Sequence, residues 1–560
     1  MADPGYILSG AATYLSRMRQ RIQRGPVFAW RFMGPAPERL AMVPPDLRPN
    51  DPLVARDIYE GRFVFSGRVV ETGGASPFNV DPPSEMWERR LHEFRWLRHL
   101  KGAESDLASA NARALVTDWL QCHGRRFTGM AWQLDVTAAR VIAWMQYSRL
   151  LLVNSDHDFY RKFMGSLARQ VRYLRGLAPS MDDDICALRV RIALCIASLV
   201  LPTASRNERS AIRNLEFQLR NQILADGGHV NRCPDTLPSL LADLLPLTQC
   251  FVSASMPVPQ EIIRSIDRMY PAMRFFRHGD GHLAMFHGAA GDNTDLVAAI
   301  LRHDQSGAKP MTHAPHSGYQ RMALGNTVVI ADTGVPPSGV HAEGAHASCL
   351  AFEMSSGRQS FIVNSGIDRL NRESYRDLAR MTAAHSSLVL EDTSSARFAR
   401  FGRGGSKSSL RTLSGPSRVE VDRKEQPGVI GFTASHDGYA RQYGLLHERT
   451  LVLTDDGARI AGRDRLLPAD GGDAKNLPRH HYDIRFHLHP AVHAQIIDQG
   501  SVRLSADSGE TWTFDIERGA VTLEESIHFA GVAGPVRSQQ IVVSASCPEN
   551  DSIDWRLLRD

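Results

Sequence analysis

The stretch SGVHAEGAHASCLAFEM, Ser338 to Met354, decides how this chain is read. Its first half is rich in glycine and histidine, with Gly339, His341, Gly344 and His346. Its second half alternates, placing Leu350, Phe352 and Met354 on one face of a strand. A flexible segment that delivers a histidine to a strand start suits a general base, and an ordinary polar loop is the competing reading. Further on, period two persists at Leu451 and Leu453, at Ile484, Phe486 and Leu488, and at Trp512, Phe514 and Ile516. Turn pairs such as Asp456-Gly457 and Ser508-Gly509 separate these runs. Many short strands without intervening helices predict an antiparallel β-sandwich over 310–560.

Upstream the period lengthens. Ser84 is placed to cap a helix, after which Trp87, Leu91, Phe94 and Leu97 make one apolar face. Helical patterns follow over 107–120, 137–153, 159–177, 185–200, 209–225, 237–251 and 260–270. Short connections between them predict stacked helical hairpins over 84–305. Gly279-Asp280-Gly281 signals a hairpin between Arg274–His278 and His282–Phe286, where helices give way to strands. Residues 1–83 form an N-terminal extension; its stretch 26–83 is punctuated by proline and glycine, and little regular structure is expected there. The fold class is therefore α+β multidomain, and 560 residues exceed the ~250–300 of a single core.

Composition narrows the function. The content of 43% apolar and 22% charged residues is that of an ordinary globular protein. The most apolar run, Ile185 to Val200, contains Arg189 and Arg191, so no membrane span is expected. Arg17, Arg19, Arg21 and Arg24 follow the apolar part of the N-terminus instead of preceding it, which is not a secretory signal. Seven scattered cysteines without a C-x-x-C pair argue against a zinc cage or a disulfide framework. A net charge of +4 gives no reason to expect nucleic acid. Lysine occurs only at 101, 162, 309, 407, 424 and 475, and arginine supplies the remaining cations. Guanidinium forks suit carboxylate and sulfate groups, although codon bias explains the preference equally well.

Other chemistry-bearing residues are Thr382-Ala383-Ala384-His385-Ser386-Ser387, just before a strand, and His487 with His489 on one strand face. The two imidazoles are either metal ligands or a hydrogen-bonded pair. Trp87 and Trp144 have core spacing, whereas Trp132 lies in a loop-like stretch and is the better sugar-stacking platform.

Several motifs together resemble one family. HASCLAFE (346–353) resembles the H-A-D-x-L-S-F-x strand of heparinase II/III, FIVNSG (361–366) its L-L-x-D-x-G, and AHSS (384–387) its A-H-N-T. Ser317 to Met322 resembles the strand that opens its β-domain, ADGGH (225–229) its D-G turn, and Trp132 to Trp144, with Arg140 between, its segment of W, R and N-W. The resemblance implies an (α/α) toroid followed by a β-sandwich, with substrate between them. It implies β-elimination on uronic-acid polysaccharide: one group neutralises the carboxylate, a base removes the C5 proton, and an acid protonates the leaving oxygen. On it His346 falls at the β-domain catalytic histidine, Arg140 and Arg321 are candidates for the uronate, and Trp132 and His341 are further substrate contacts.

The departures are specific. Thr236 stands where the catalytic tyrosine is expected, and Asp182-Asp183-Asp184 where an Asn-His pair is expected. Ser348 and Asn364 replace two acidic metal ligands and leave His385 as a vestige, so no tightly bound metal or other cofactor is expected. Tyr319 is the candidate replacement acid. An acidic polysaccharide is the expected partner. The resemblance implies the cell envelope or periplasm, while the N-terminus makes cytoplasm the alternative. The readings are a lyase, a non-catalytic binder of acidic glycan, and a glycoside hydrolase using Glu343 and the 182–184 carboxylates.

Overall fold

A computed structural model describes residues 30–103, 105–291, 293–304, 307–368, 372–401, 409–472, 479–531 and 534–560. The N-terminal arginines 17–24, Lys407 and Lys475 lie outside these residues. The chain divides into two compact units. The first comprises described residues of 30–223, 238–267 and 295–304, and the second those of 224–237, 268–294 and 307–560. The division is thus not a single cut near residue 305: two segments from the helical half of the sequence belong with the strands.

In the first unit, Ile185–Val200 is apolar almost all round and is buried against Leu134–Gln146 and Glu208–Gln222. Asp184 caps it by accepting from the Ala187 amide at 2.9 Å. Ser84 caps Glu85–Glu93 in the same way through Trp87 N. That helix ends at Phe94, whose φ of 58° turns the chain before Leu97–Gly102, yet the expected face of Trp87, Leu91, Phe94 and Leu97 is wholly buried. The N-terminal stretch carries more regular structure than its composition implies. It contains the helix Pro52–Tyr59 and a hairpin of Arg62–Phe65 with Arg68–Glu71. Arg48 pins it by an ion pair of 2.7 Å to buried Asp243, which Arg95 also engages at 3.1 Å.

The second unit is an antiparallel sandwich. One sheet runs Val419–Gln426, Val429–His436, Leu445–Thr454, Arg459–Pro468, Ser552–Arg559, Thr511–Ile516, Ser501–Ala506 and Val492–Asp498. The other runs Val521–His528, Val536–Cys547, His480–Leu488, Gln359–Val363, Phe352–Ser356, Thr327–Asp332, Tyr319–Leu324 and His313–Ala314, with Leu388–Leu390 also paired to His480–Leu488. Phe352 and Phe486 of one sheet pack on Trp555 of the other at ring distances of 5.7 and 4.8 Å. Gly462 lies opposite Trp555 in register, where a Cβ would fall 2.1 Å from the indole, so no other residue fits. At the expected Gly279-Asp280-Gly281 hairpin a turn forms with one bridge, Arg277 to Leu283, in place of two strands.

The strand Leu445–Thr454 alternates buried and half-buried along its whole length, and two inward positions are His447 and Arg449. Asp464, the register partner of Arg449, answers both. It accepts from Arg449 Nε and His447 Nε2, each at 2.8 Å, and from Trp555 Nε1 at 2.9 Å. Arg449 Nη1 reaches across to the Leu350 and Ser386 carbonyls. Removing one member leaves a buried charge unpaired. Asp464→Asn should therefore cost of order 3 kcal/mol, measured as a lower denaturant midpoint, and a change under about 1 kcal/mol would refute this account of the sandwich core.

Candidate functional site

The site belongs to the second unit and is built around Asp332, the last residue of Thr327–Asp332. Its Oδ2 accepts from Ser348 Oγ at 2.6 Å and His287 Nε2 at 3.1 Å, and its Oδ1 from Gly334 N at 3.1 Å and from Arg232 Nη2. Burial opposes ionisation of this carboxyl, but Arg232 and His287 outweigh it and hold the group well below the ordinary carboxylate range. Arg232 also donates to the Ser317, Gly318, Gly334 and Val335 carbonyls. The turn at Ala225 to His229 is drawn in by Asp226, which accepts from Ser317 N at 2.7 Å. Gly227 holds φ of 81° there, and a Cβ on it would meet the Arg268 carbonyl at 1.9 Å.

His346 is 2% exposed. The hydrogen-bond pattern fixes its tautomer. The Met381 carbonyl only accepts, so His385 carries its proton on Nδ1, 2.8 Å from that oxygen, and Nε2 must accept. The donor to it is His346 Nδ1, at 3.2 Å. The His346 amide in turn donates to His287 Nδ1 at 3.1 Å, leaving the His287 proton on Nε2 toward Asp332. His346 Nε2 therefore keeps a lone pair and has no hydrogen-bond partner among the described residues. Burial, and next the neighbouring His385, push the His346 pKa well below its usual value, so the ring stays neutral.

The other expected site residues divide sharply. Tyr319 is fully buried, its hydroxyl donates to the Arg232 carbonyl at 2.6 Å, and burial raises its pKa well above 10. It is a packed support for the Arg232 cation, 4.7 Å above its ring, not an accessible acid. Arg321 donates to the Phe275 and Arg277 carbonyls at 2.7 and 3.1 Å and secures the entry to the sandwich, not a uronate. Arg140, in the first unit, is enclosed with its guanidinium 4.1 Å from the Trp119 ring and Nε donating to Gln170. Trp132 is equally buried, its indole bonded to the His123 carbonyl and packed on Phe127 and Tyr173. Neither can meet a polymer in this arrangement. His341, on the short 3-10 turn Gly339–Gly344, is the substrate-contact candidate that reaches solvent, with the His229 ring 6.4 Å away.

The departures from the motif are built into the network. Thr236 exchanges hydrogen bonds with Asn231. In the first unit, Asp183 accepts from Gln218 and Asp184 is a helix cap, so these carboxylates have structural work. Ser348 spends its proton on Asp332, and Asn364 Nδ2 donates to Glu353 at 3.0 Å. Neutral Ser348 and Asn364 bring no negative charge to a cation, and Asn364 Oδ1 already accepts from Ser386 N at 3.1 Å, so these positions fit a metal site poorly. Among the described residues no three His, Cys, Asp or Glu side chains are grouped to hold one. His487 and His489 are not a pair: His487 is buried between Ser526 and the Ala383 carbonyl, while His489 lies past the strand end beside His528.

Asp332, Arg232, His287 and Glu353 were not anticipated. Glu353 and Asp332 are charged positions in apolar strands, a signal the alternation could have exposed. Arg232 sits in an irregular turn where no periodicity marks it.

With the fold and this arrangement in place, the comparisons are decisive for the class. The family model "Heparinase II/III-like, C-terminal" matches residues 306–556. This chain belongs to the heparinase II/III-like family, and its fold is the (α/α) toroid with antiparallel β-sandwich. It is 30% identical over 543 residues to FtsZ-localized protein C of Caulobacter vibrioides, covering 94% of this chain and 91% of that protein. Its fold is also that of crystalline heparinase III, with a TM-score of 0.73 at 12% identity, covering 98% and 89% of the two chains. A heparan sulfate lyase HepC mutant from Pedobacter heparinus aligns at 0.62 and 14% identity, covering 98% and 88%.

The buried imidazoles make the unit acid-sensitive. Burial lowers His385 to about 4 and His487 to about 3. Below about 6.5 the unfolded chain takes up protons that the folded rings refuse. Stability is full above that pH and falls as acid is added, by up to ~1.4 kcal/mol per pH unit for each ring. Denaturant midpoints should drop between pH 7.5 and 5, and His385→Gln should flatten the decline; an unchanged profile would contradict the buried-neutral assignment.

Proposed function

We propose that this protein keeps the lyase fold without the lyase reaction: it holds an acidic glycan and works together with FtsZ. The observation that carries this reading is the closure of the site. Proton removal from a uronate needs an accessible base and an acid opposite it. Here the imidazole of His346 is enclosed and hard to protonate, and the Tyr319 hydroxyl is committed to a carbonyl. The likeness over nearly the full length to an FtsZ-localized protein supports co-localisation with FtsZ, and with it the cytoplasm over the periplasm.

One observation favours a second reading, turnover with His346 as base: its Nε2 lone pair has no partner among the described residues. The two readings separate in one assay. Purified protein incubated with heparan sulfate, polyglucuronate or alginate should retard the polymer in affinity electrophoresis. It should produce no ultraviolet absorbance of unsaturated uronate, and His346→Ala should bind equally. Product formation that falls ~10²–10⁴-fold in His346→Ala would establish the lyase instead. A fluorescent fusion should overlap FtsZ in cells, and a uniform distribution would remove that part of the proposal.

A further inference from the structure

Three segments of the first unit, 30–35, 124–127 and 169–176, meet at the ring of Phe32. That ring lies 5.2 Å from Phe127 and 5.3 Å from Tyr173, and a Cβ on Gly176 would fall 3.0 Å from it. Arg169 Nη1 donates to the Gly124 carbonyl at 2.7 Å, and Arg172 Nη2 donates to the Pro35 carbonyl. The composition of the three segments is one-sided: they hold six arginines and no lysine, aspartate or glutamate. Arg125 and Arg175 are exposed, and Arg169 and Arg172 are half-buried. Burial, and next Arg125, draws the Arg169 pKa down; burial, Arg175 and Arg169 do the same to Arg172. Among the described residues none of these four has a carboxylate within ion-pair distance. Cations gathered without a counter-ion repel one another, so together they attract an anionic partner more strongly than one arginine would.

The apolar residues beside the arginines say which kind of partner. Burial of Phe32 leaves its neighbours outside: Trp30 is 70% exposed and Met33 65%. The Met33 amide donates to the Trp30 carbonyl at 3.1 Å, so one tight turn carries both. Trp, Met and Arg, with Lys absent, are the residues enriched at the centres of protein interfaces. Guanidinium forks held in place by carbonyls suit carboxylates at fixed spacing, whereas a lipid surface or a charged polymer needs only density of charge. Residues 1–29 are not the complement, because they carry Arg17, Arg19, Arg21 and Arg24 against the single acid Asp3.

We propose that this face, around Trp30, Met33, Arg125, Arg169, Arg172 and Arg175, docks an acidic protein segment with apolar side chains among its carboxylates. It requires neither a glycan at the His346 site nor co-localisation with FtsZ. Fluorescence anisotropy of a labelled peptide that alternates Glu with Leu and Phe, titrated with the full chain, tests it. The peptide should bind, its Gln counterpart should bind about tenfold more weakly, and added salt should weaken the first alone. Trp30→Ser, and Arg125→Gln combined with Arg175→Gln, replace exposed side chains. Melting temperature should therefore hold while each variant lowers affinity about tenfold, and His346→Ala should bind as the unaltered chain does. Absence of binding, equal binding of the Gln peptide, or full affinity in both variants would overturn the assignment. So would capture by phosphatidylglycerol vesicles or heparan sulfate that these variants abolish while the peptide stays unbound, an outcome that gives the face to lipid or glycan.

Discussion

A single buried carboxylate, Asp332, sets the arrangement of the second unit. A charge without access to water must be matched by donors, and the donors here come from four places: the turn at Arg232, the loop at His287, the adjoining Gly334 and the motif segment at Ser348. Removing one partner from such a set typically costs ~3–5 kcal/mol. An exposed pair such as Arg418 with Glu420 contributes at most about 1 kcal/mol. The enclosed network therefore decides how these loops are placed, and surface charges adjust little.

The same requirement shapes the surroundings of His385. A family pattern with acids at positions 348 and 364 would gather negative charge around His385. Serine and asparagine at those positions turn donors toward Asp332 and Glu353 instead. The histidines then bond to one another and to a carbonyl, an arrangement that is stable only with neutral rings. Rigidity and the scarcity of spare acceptors around Asp332 have one cause, the pairing of charged groups in a dry interior.

Much of the architecture could be read from the chain because it rests on periodicity. Ile185–Val200 has the expected limits, and Leu445–Thr454 alternates as its sequence does. The family followed from short motifs whose order survives even where their residues changed. The site was less legible, because burial is not a property of a residue type. Arg140, Trp132, Tyr319 and Arg321 have the right chemistry for sugar recognition, but each is used inside the fold. Arg232 could not be found by pattern, since its partners lie up to 103 residues away along the chain and no local regularity announces them.

The strand order of the eight-stranded sheet carries a consequence for how the molecule comes into being. Ser552–Arg559 is not an edge strand; it is inserted between Arg459–Pro468 and Thr511–Ile516 and brings Trp555 against Asp464 and Gly462. During synthesis, the strands of both halves of that sheet precede the piece that joins them. Until then each half shows an unpaired backbone edge and an uncovered apolar face, the state in which chaperones act and strands mispair. Loss of a few residues in this segment would thus divide the sheet in two, where the same loss at an outer strand would only shorten it.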